Sequence, residues 1–262
     1  MKKILVTGAN SYIGTSFAKY MSQWPEKFQV DTQDMLDPAW RESDFSGYDA
    51  VFHVAGIAHQ KETVENAPLY YQVNRDLAAE TARKAKADGV GQFVFLSTMA
   101  VYGLEEGAIS RQTPTNPKSH YGKAKLEAEK LMEPLQTDAF RVCILRPPMV
   151  YGEGCKGNYN ALVKFAEKMP VFPDYRNQRS MIHIQTLCET VKELIERQAQ
   201  GLFLPQDAQY VCTCQMVAQI AQNRGKKIKL TKLLNPAVVL AKKCTGMGKK
   251  AFGDLYYEKE NA

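Results

Sequence analysis

Lys3-Ile-Leu-Val-Thr-Gly-Ala-Asn-Ser-Tyr-Ile-Gly14 is the stretch whose reading decides the fold. An apolar run, a turn of small residues and the opening of a longer pattern read as a buried strand, a tight loop and a helix. Such a junction aims unpaired backbone N–H groups and the positive end of a helix dipole at one point, where a pyrophosphate can settle without side-chain bulk in the way. Gly8 makes the turn, and Gly14 lets the helix pack closely on the strand. Asn10, Ser11, Tyr12 and Ile13 complete the candidate phosphate loop. Ser11 stands where the usual G-x-x-G-x-x-G run has its middle glycine, which removes some of the room for a pyrophosphate.

Outward from this loop, short β-branched or aromatic runs alternate with longer helical patterns. Strands are expected at Lys3–Thr7, Phe28–Thr32, Ala50–Val54, Phe93–Ser97 and Arg141–Leu145, and helices near Gly14–Gln23, Leu69–Asp88, Lys123–Leu135 and Thr186–Gln198. That alternation builds an α/β fold, a doubly wound parallel sheet of Rossmann type with helices on both faces. Ile4-Leu5-Val6 and Val51-Phe52-His53-Val54 are apolar on both faces, as a covered parallel strand must be. Residues 1–150 are read as the dinucleotide-binding part. Residues 151–262, richer in Gly, Pro and Asn connections, are read as mostly a smaller substrate-binding lobe with a basic tail and excursions back into the first part.

The second strand should end in an acid that takes the adenosine ribose, about 20 residues past the loop. Asp31 and Asp34 are the candidates, and no Arg or Lys follows either before Arg41. With nothing beside them to neutralise a 2′-phosphate, the reading favours NAD and leaves NADP open. Both aspartates also suit turn or capping roles before Pro38.

Of 262 residues, 45% are hydrophobic and 24% charged, an ordinary globular balance that rules out disorder, collagen and coiled coil. No apolar run reaches the roughly 18 residues of a membrane span, and no leader pattern follows Met1-Lys-Lys3, so a cytoplasmic protein without an integral membrane segment is expected. The net charge of +6 invites a nucleic-acid reading until it is located along the chain. From Arg224 onward there are 10 Lys/Arg against 3 Asp/Glu, and the rest is balanced at 24 against 25. Nucleic acid is therefore not expected as a partner. The basic tail reads as a solvated face, the lining of an anionic substrate pocket, or a contact with a membrane surface or polyanion. Six dispersed cysteines, the closest pair Cys212-x-Cys214, read as reduced thiols with no metal site.

Tyr121-Gly-Lys-Ala-Lys125 places a phenol and an ammonium four residues apart, hence on one helix face. A phenol with a pKa near 10 is a poor base at neutral pH, and a nearby cation is what would pull it down. Taken alone the spacing is common on solvated helices. Its weight comes from Phe93-Val-Phe-Leu-Ser-Thr98 upstream, a buried strand ending in two hydroxyls, because ligands of open parallel sheets sit at the carboxyl ends of strands.

Together these pieces resemble the extended short-chain dehydrogenase/reductases, in their NAD-dependent nucleotide-sugar epimerase/dehydratase branch. The matching runs are residues 7–14, His-Val-Ala-Gly at 53–56, Val-Asn at 73–74, Ser-Thr-Met-Ala-Val-Tyr-Gly at 97–103, residues 121–125, Leu-Arg-Pro-Pro-Met-Val-Tyr-Gly at 145–152 and Arg-Ser-Met-Ile-His-Ile at 179–184. They keep the family's order over roughly the first 185 residues. The resemblance makes Tyr121 the acid/base at the sugar hydroxyl or ketone. Lys125 would hold the nicotinamide ribose and lower the phenol's pKa, and Thr98 would hydrogen-bond the reacting oxygen. Ala55, Gly56 and Ser97 would run along the cofactor, and Asn74 would support that region. Asn158, Lys164 and Arg179 would grip the substrate diphosphate, with Arg146 structural. Dehydratases of this family follow the threonine with Asp-Glu, whereas Met99 and Ala100 stand here and neither can move a proton. The implied activity is 4-epimerisation of a UDP-linked sugar, with a 4-keto-sugar reductase as the near alternative and a non-catalytic dinucleotide sensor from a different class. A homodimer is compatible with the resemblance.

Overall fold

The structure is a computed structural model that describes residues 1–58, 60–155, 157 and 159–259. Its strands are β1 (Lys2–Thr7), β2 (Phe28–Gln33), β3 (Ala50–His53), β4 (Gln92–Leu96), β5 (Gly107–Ile109), β6 (Arg141–Leu145), β7 (Met149–Tyr151), β8 (Val171–Pro173), β9 (Met181–His183), β10 (Gly201–Phe203), β11 (Lys229–Thr231) and β12 (Leu255–Tyr257). The helices are α1 (Tyr12–Met21), α2 (Ala67–Tyr71), α3 (Ala78–Ala87), α4 (His120–Met132), α5 (Tyr159–Lys168), α6 (Ile184–Glu196), α7 (Thr213–Asn223), α8 (Asn235–Cys244) and α9 (Gly246–Phe252).

Six strands form one parallel sheet in the order β10-β6-β4-β3-β1-β2. Side chains alternate across a strand, so Ile4 and Val6 enter one apolar layer while Leu5 enters the other. The first layer adds Phe52, Val94 and Leu145 from neighbouring strands and Phe17, Leu187 and Val191 from α1 and α6. The second joins Val51, Phe93 and Val142 to Ala78, Ala82, Ala128 and Met132 of α3 and α4. Both faces are covered, which is the physical reason these strands carry unbroken apolar runs.

The chain leaves β1 for β2 on one side and returns to β3 on the other, so the topological switch point lies between β1 and β3. In register, Thr7 lies opposite His53, His53 opposite Phe95, and Leu96 opposite Leu145. The segments that follow, beginning at Gly8, Val54, Ser97 and Arg146, therefore share one edge. β2 is an outer strand, and residues 34–49 reach β3 through a single 3₁₀ turn at Pro38–Glu42, with Trp40 and Phe45 buried in the second layer.

One expected helix differs in form. The pattern over Leu69–Asp88 is α2 and α3 joined by a π-helical turn, Gln72–Leu77, that carries the buried Asn74. The wider turn adds a residue to the helix and re-aims one side chain, a device frequent at functional sites. Beyond β6, α5, α7 and β8 build a third apolar cluster around Leu162, Phe172, Val217 and Ile220. The same half also returns to the main sheet through α6 and β10, and β12 pairs with β5.

A buried ionic network seats α4 against this edge. Nε and Nη2 of Arg146 donate to the Glu129 carboxylate, with Nη2 to Oε2 at 2.5 Å, and Nη1 donates to the Tyr102 hydroxyl at 3.0 Å. Ser97 donates its hydroxyl proton to Glu129, and Tyr257 of β12 donates to the Arg146 carbonyl at 2.6 Å. Removing one member of a buried pair strands the other. Arg146→Met is expected to lower unfolding free energy by about 3–5 kcal/mol, and the double variant Glu129→Leu, Arg146→Met to recover much of that loss. Denaturant titration of both variants measures this, and an additive loss in the double variant would contradict it.

Candidate active site

Gly8 sits at φ +98°, in the left-handed region, and a Cβ there would lie 2.9 Å from the Ala55 nitrogen. No side chain fits between the loop and the end of β3. The Gly8 and Ala9 N–H groups both donate to the Gln33 carbonyl, at 2.9 and 3.2 Å, which binds the loop to the end of β2. Ser11 is negative in φ and caps α1, its hydroxyl accepting from the Gly14 N–H at 3.0 Å. Its side chain is thus turned onto the helix start, so the room expected to be lost at this position is partly recovered. Gly14 meets Val54 closely, as helix–strand packing requires: a Cβ would fall 3.1 Å from Cγ2. Tyr12 leans the other way, towards Gly152 and Cys155, where burial pushes its phenol up to about 12. First-turn N–H groups of a helix have no intrahelical acceptor, so those of Tyr12 and Ile13 face the space before the helix. This cradle of backbone donors with no Cβ in the way suits the pyrophosphate of a dinucleotide.

The two candidate ribose acids are placed differently. Asp31 lies opposite Leu5, inside the strand, and accepts from Gln29 and from the Tyr48 hydroxyl, both at 3.0 Å. Asp34 is the first residue beyond β2 and accepts from the Leu36 N–H at 2.9 Å. Arg41 is bound to Glu80 through two hydrogen bonds and lies against Trp40.

Past the switch point, Ala55 is buried against Gly8, and Gly56 is pressed against the side chains of Asn74 and Lys125. A Cβ on Gly56 would meet Asn74 Oδ1 at 2.7 Å and Lys125 Nζ at 3.4 Å. Asn74 accepts from the Ile57 N–H at 3.2 Å and donates to the Ile57 carbonyl at 3.1 Å, so it braces the loop after β3. Lys125 is buried, donates to the Leu96 carbonyl at 2.9 Å and lies 4.6 Å from the centre of the Phe95 ring. Burial draws its pKa down to about 7 against the opposing pull of Glu129. The neighbouring His53 is buried and hydrogen-bonds Thr7 at 2.7 Å; desolvation first, and Lys125 second, push it down to about 3. The imidazole is neutral at physiological pH.

The Tyr121 hydroxyl meets the Thr98 hydroxyl, whose hydrogen bond opposes a burial effect that pushes the phenol up to about 12. Thr98 is held in extended backbone and accepts from the Ala100 N–H at 3.1 Å, which starts the 3₁₀ turn Met99–Tyr102. The Lys125 ammonium is held by the Leu96 carbonyl and the Phe95 ring, and Thr98 is the side chain whose hydrogen bond acts on the Tyr121 phenol. The Ser97 side chain is buried and donates to Glu129, so its backbone is what borders the edge. A residue the sequence did not single out joins here. Glu62 accepts from the N–H groups of His120 and Tyr121 at 2.8 and 3.0 Å, a carboxylate on the positive end of α4.

At the substrate end, Arg179 donates to the Gly253 carbonyl at 2.9 Å and pairs through its backbone with Val211. Burial draws its pKa down, opposed by Asp254 and Glu106. Lys164 is exposed on α5. Asn158 lies outside the described residues.

The depressed Lys125 pKa has a measurable sign. Between about 7 in the fold and its ordinary 10.5, the unfolded chain binds the proton that the folded chain lacks, so stability rises with pH across that window. Lys125→Met removes the rise. Its melting temperature relative to wild type is expected to be most favourable near pH 7 and to fall towards pH 10, whereas a constant difference would contradict the buried ammonium.

Comparison with known proteins places this geometry. The model of the NAD dependent epimerase/dehydratase family matches residues 4–203. The chain is 31% identical over 248 residues to a UDP-glucose 4-epimerase of Vibrio cholerae, covering 84% of this chain and 75% of that protein. It is 28% identical over 274 residues to the N-acetyl-α-D-glucosaminyl-diphospho-ditrans,octacis-undecaprenol 4-epimerase of Escherichia coli O157:H7, covering 97% and 82%. In fold it is similar to the NAD complex of a UDP-glucuronic acid 4-epimerase from Bacillus cereus, with a TM-score of 0.72, 20% identity and 87% of each chain covered. It is equally similar to a dTDP-4-dehydrorhamnose reductase from Clostridium acetobutylicum, at 0.71 and 22%, covering 87% of this chain and 82% of that one. With the phosphate loop, the switch point and the Tyr121–Lys125 helix all inside the matched span, the chain belongs to the NAD-dependent epimerase/dehydratase family.

Proposed function

We propose that this protein inverts carbon 4 of a sugar carried on a diphosphate, a UDP-sugar in the leading form. The observation that carries the reading is the meeting of the Tyr121 and Thr98 hydroxyls beside Lys125 at the carboxyl edge of the sheet. NAD, when bound, supplies the hydride acceptor and donor. The protein's own groups move the proton and hold the partners. Tyr121 takes the proton of the C4 hydroxyl and later returns it, and Thr98 orients the same oxygen. Gly8, Asn10 and the α1 amides hold the pyrophosphate, with Asp34 better placed than Asp31 for the adenosine ribose. Asn74 and Lys125 together border Gly56, where the nicotinamide ribose would lie. A positive charge on Lys125 favours the phenolate, so a dinucleotide that draws a proton onto Lys125 would also lower the phenol's pKa.

Met99 and Ala100 open the 3₁₀ turn beside Thr98 and cannot transfer protons, which argues against elimination of water. Arg179, Lys164 and Asn158 remain the proposed diphosphate ligands. Reduction of a 4-keto sugar uses the same three side chains and is the competing reaction. The relative that acts on an undecaprenol-linked diphospho-sugar matches nearly the whole chain, which supports a second carrier, a polyprenyl diphosphate.

Wild-type protein with catalytic NAD⁺ is expected to invert C4 in at least one member of a panel of UDP-sugars and polyprenyl-diphosphate sugars. Tyr121→Phe should lower that turnover by at least about 10²-fold while binding NAD normally. Nuclear magnetic resonance of the products and calorimetry of cofactor binding measure the two effects. Wild-type turnover in the phenylalanine variant would remove Tyr121 from the chemistry.

A further inference from the structure

The segment from Lys226 to Lys250 has a surface of the wrong polarity for a helix facing water. Leu233 is 88% exposed, Leu240 63% and Met247 81%, with Leu234 and Val239 also exposed. α8 is anchored from its other side: Val238 is buried, and Lys242 pairs with Glu106 at 2.9 Å and donates to the Tyr175 hydroxyl. Residues three and four apart share a helix face, so Pro236, Val239, Leu240 and Lys243 line up outward, with Leu233 just before α8 and Met247 exposed in the first turn of α9. A surface helix ordinarily turns its apolar stripe inward; this one presents apolar groups on the face opposite its anchor.

Cations recur along the same segment. Lys226, Lys227, Lys229, Lys232 and Lys243 are all exposed. The nearby Glu167 is already paired with Arg224. The Met169–Pro170 turn lies against Lys226–Ile228, and Met169 is exposed as well.

We propose that this face docks on an anionic lipid bilayer, with Leu233, Leu240 and Met247 entering the headgroup boundary and the lysines resting on the lipid charges. Apolar side chains flanked by lysines are what an interfacial helix needs, because each term alone is weak and the two act together. A second copy of the chain fits less well: residues 226–250 contain no Asp or Glu, so the same patch on both partners brings lysines against lysines, and the adjoining Glu105 and Glu106 already face Lys250 and Lys242. The proposal is independent of the catalytic reading. It would set the enzyme at the membrane surface whatever carries its sugar.

The test is sedimentation of the full chain with phosphatidylcholine vesicles, with and without phosphatidylglycerol, at low and high salt and without substrate. Partition is expected on the phosphatidylglycerol vesicles only, and weaker at high salt. Each exposed lysine changed to Gln should lower the partition coefficient by about five-fold, the factor that corresponds to about 1 kcal/mol per cation. Leu233→Asp with Leu240→Asp should abolish it while the melting temperature and sugar turnover stay at wild type. The proposal is overturned by failure to bind phosphatidylglycerol vesicles at low salt, or by unchanged partition in the double aspartate variant. It is equally overturned if that variant converts a dimer to a monomer while vesicle binding persists.

Discussion

Everything at the candidate site hangs on the buried contact between Glu129 and Arg146. Tyr121, Lys125 and Glu129 are spaced by four residues along α4, so one helix face carries the phenol proposed as acid/base, the cation and the anchor. Arg146 begins the segment after β6, Ser97 the segment after β4, and both converge on the Glu129 carboxylate. The anchor at the far end of the stripe therefore fixes where the near end points. With both ions out of water, neither is left without a partner, and the Tyr102 hydroxyl and the Tyr257 bond to the Arg146 carbonyl tie in the remaining polar groups. Strand β12 thus bears directly on the helix that carries Tyr121 and Lys125.

The other end of α4 is set by a second carboxylate. Glu62 reaches from the loop after β3 to the first amides of the helix, while Asn74 braces the same loop from the π turn. The loop beyond the switch point is held on one side by Asn74 and on the other by the helix that carries Tyr121. Lys125 lies between them, buried and only partly charged at neutral pH. Such a lysine responds to an arriving anion more strongly than a solvated one, because its protonation state is already poised.

Much of this was legible in the sequence because it is local or periodic. The strand–loop–helix at residues 3–14, the doubly apolar strands and the Tyr121–Lys125 spacing each depend on neighbours a few residues apart; three of the five expected strands differ from the structure by a residue at one end, Phe93–Ser97 is displaced by a residue at both ends, and Arg141–Leu145 agrees throughout. The fold class followed. What stayed hidden depends on register and long-range pairing. That Asp31 lies inside β2 and Gln33 at its end follows from pairing with β1, which spacing alone does not fix. Ser97 and Thr98 are adjacent hydroxyls in sequence, but strand alternation sends one into the core towards Glu129 and leaves the other facing Tyr121. Glu62 is one of several charged residues in a polar loop, and nothing local marks it as the partner of a helix 58 residues away. The lysine-rich tail showed its charge but not that its leucines face outward.

The most direct measurement of the catalytic account follows the hydrogen on the reacting carbon. A UDP-sugar deuterated at C4 is incubated with the protein and catalytic NAD⁺, and the product is analysed for configuration and label. The account predicts deuterium retained at C4 of the inverted sugar, as required when one site takes the hydride and returns it to the same carbon. Inversion with loss of the label, or stoichiometric NAD(P)H consumption on a 4-keto sugar with no inversion of any 4-hydroxy sugar, would contradict it.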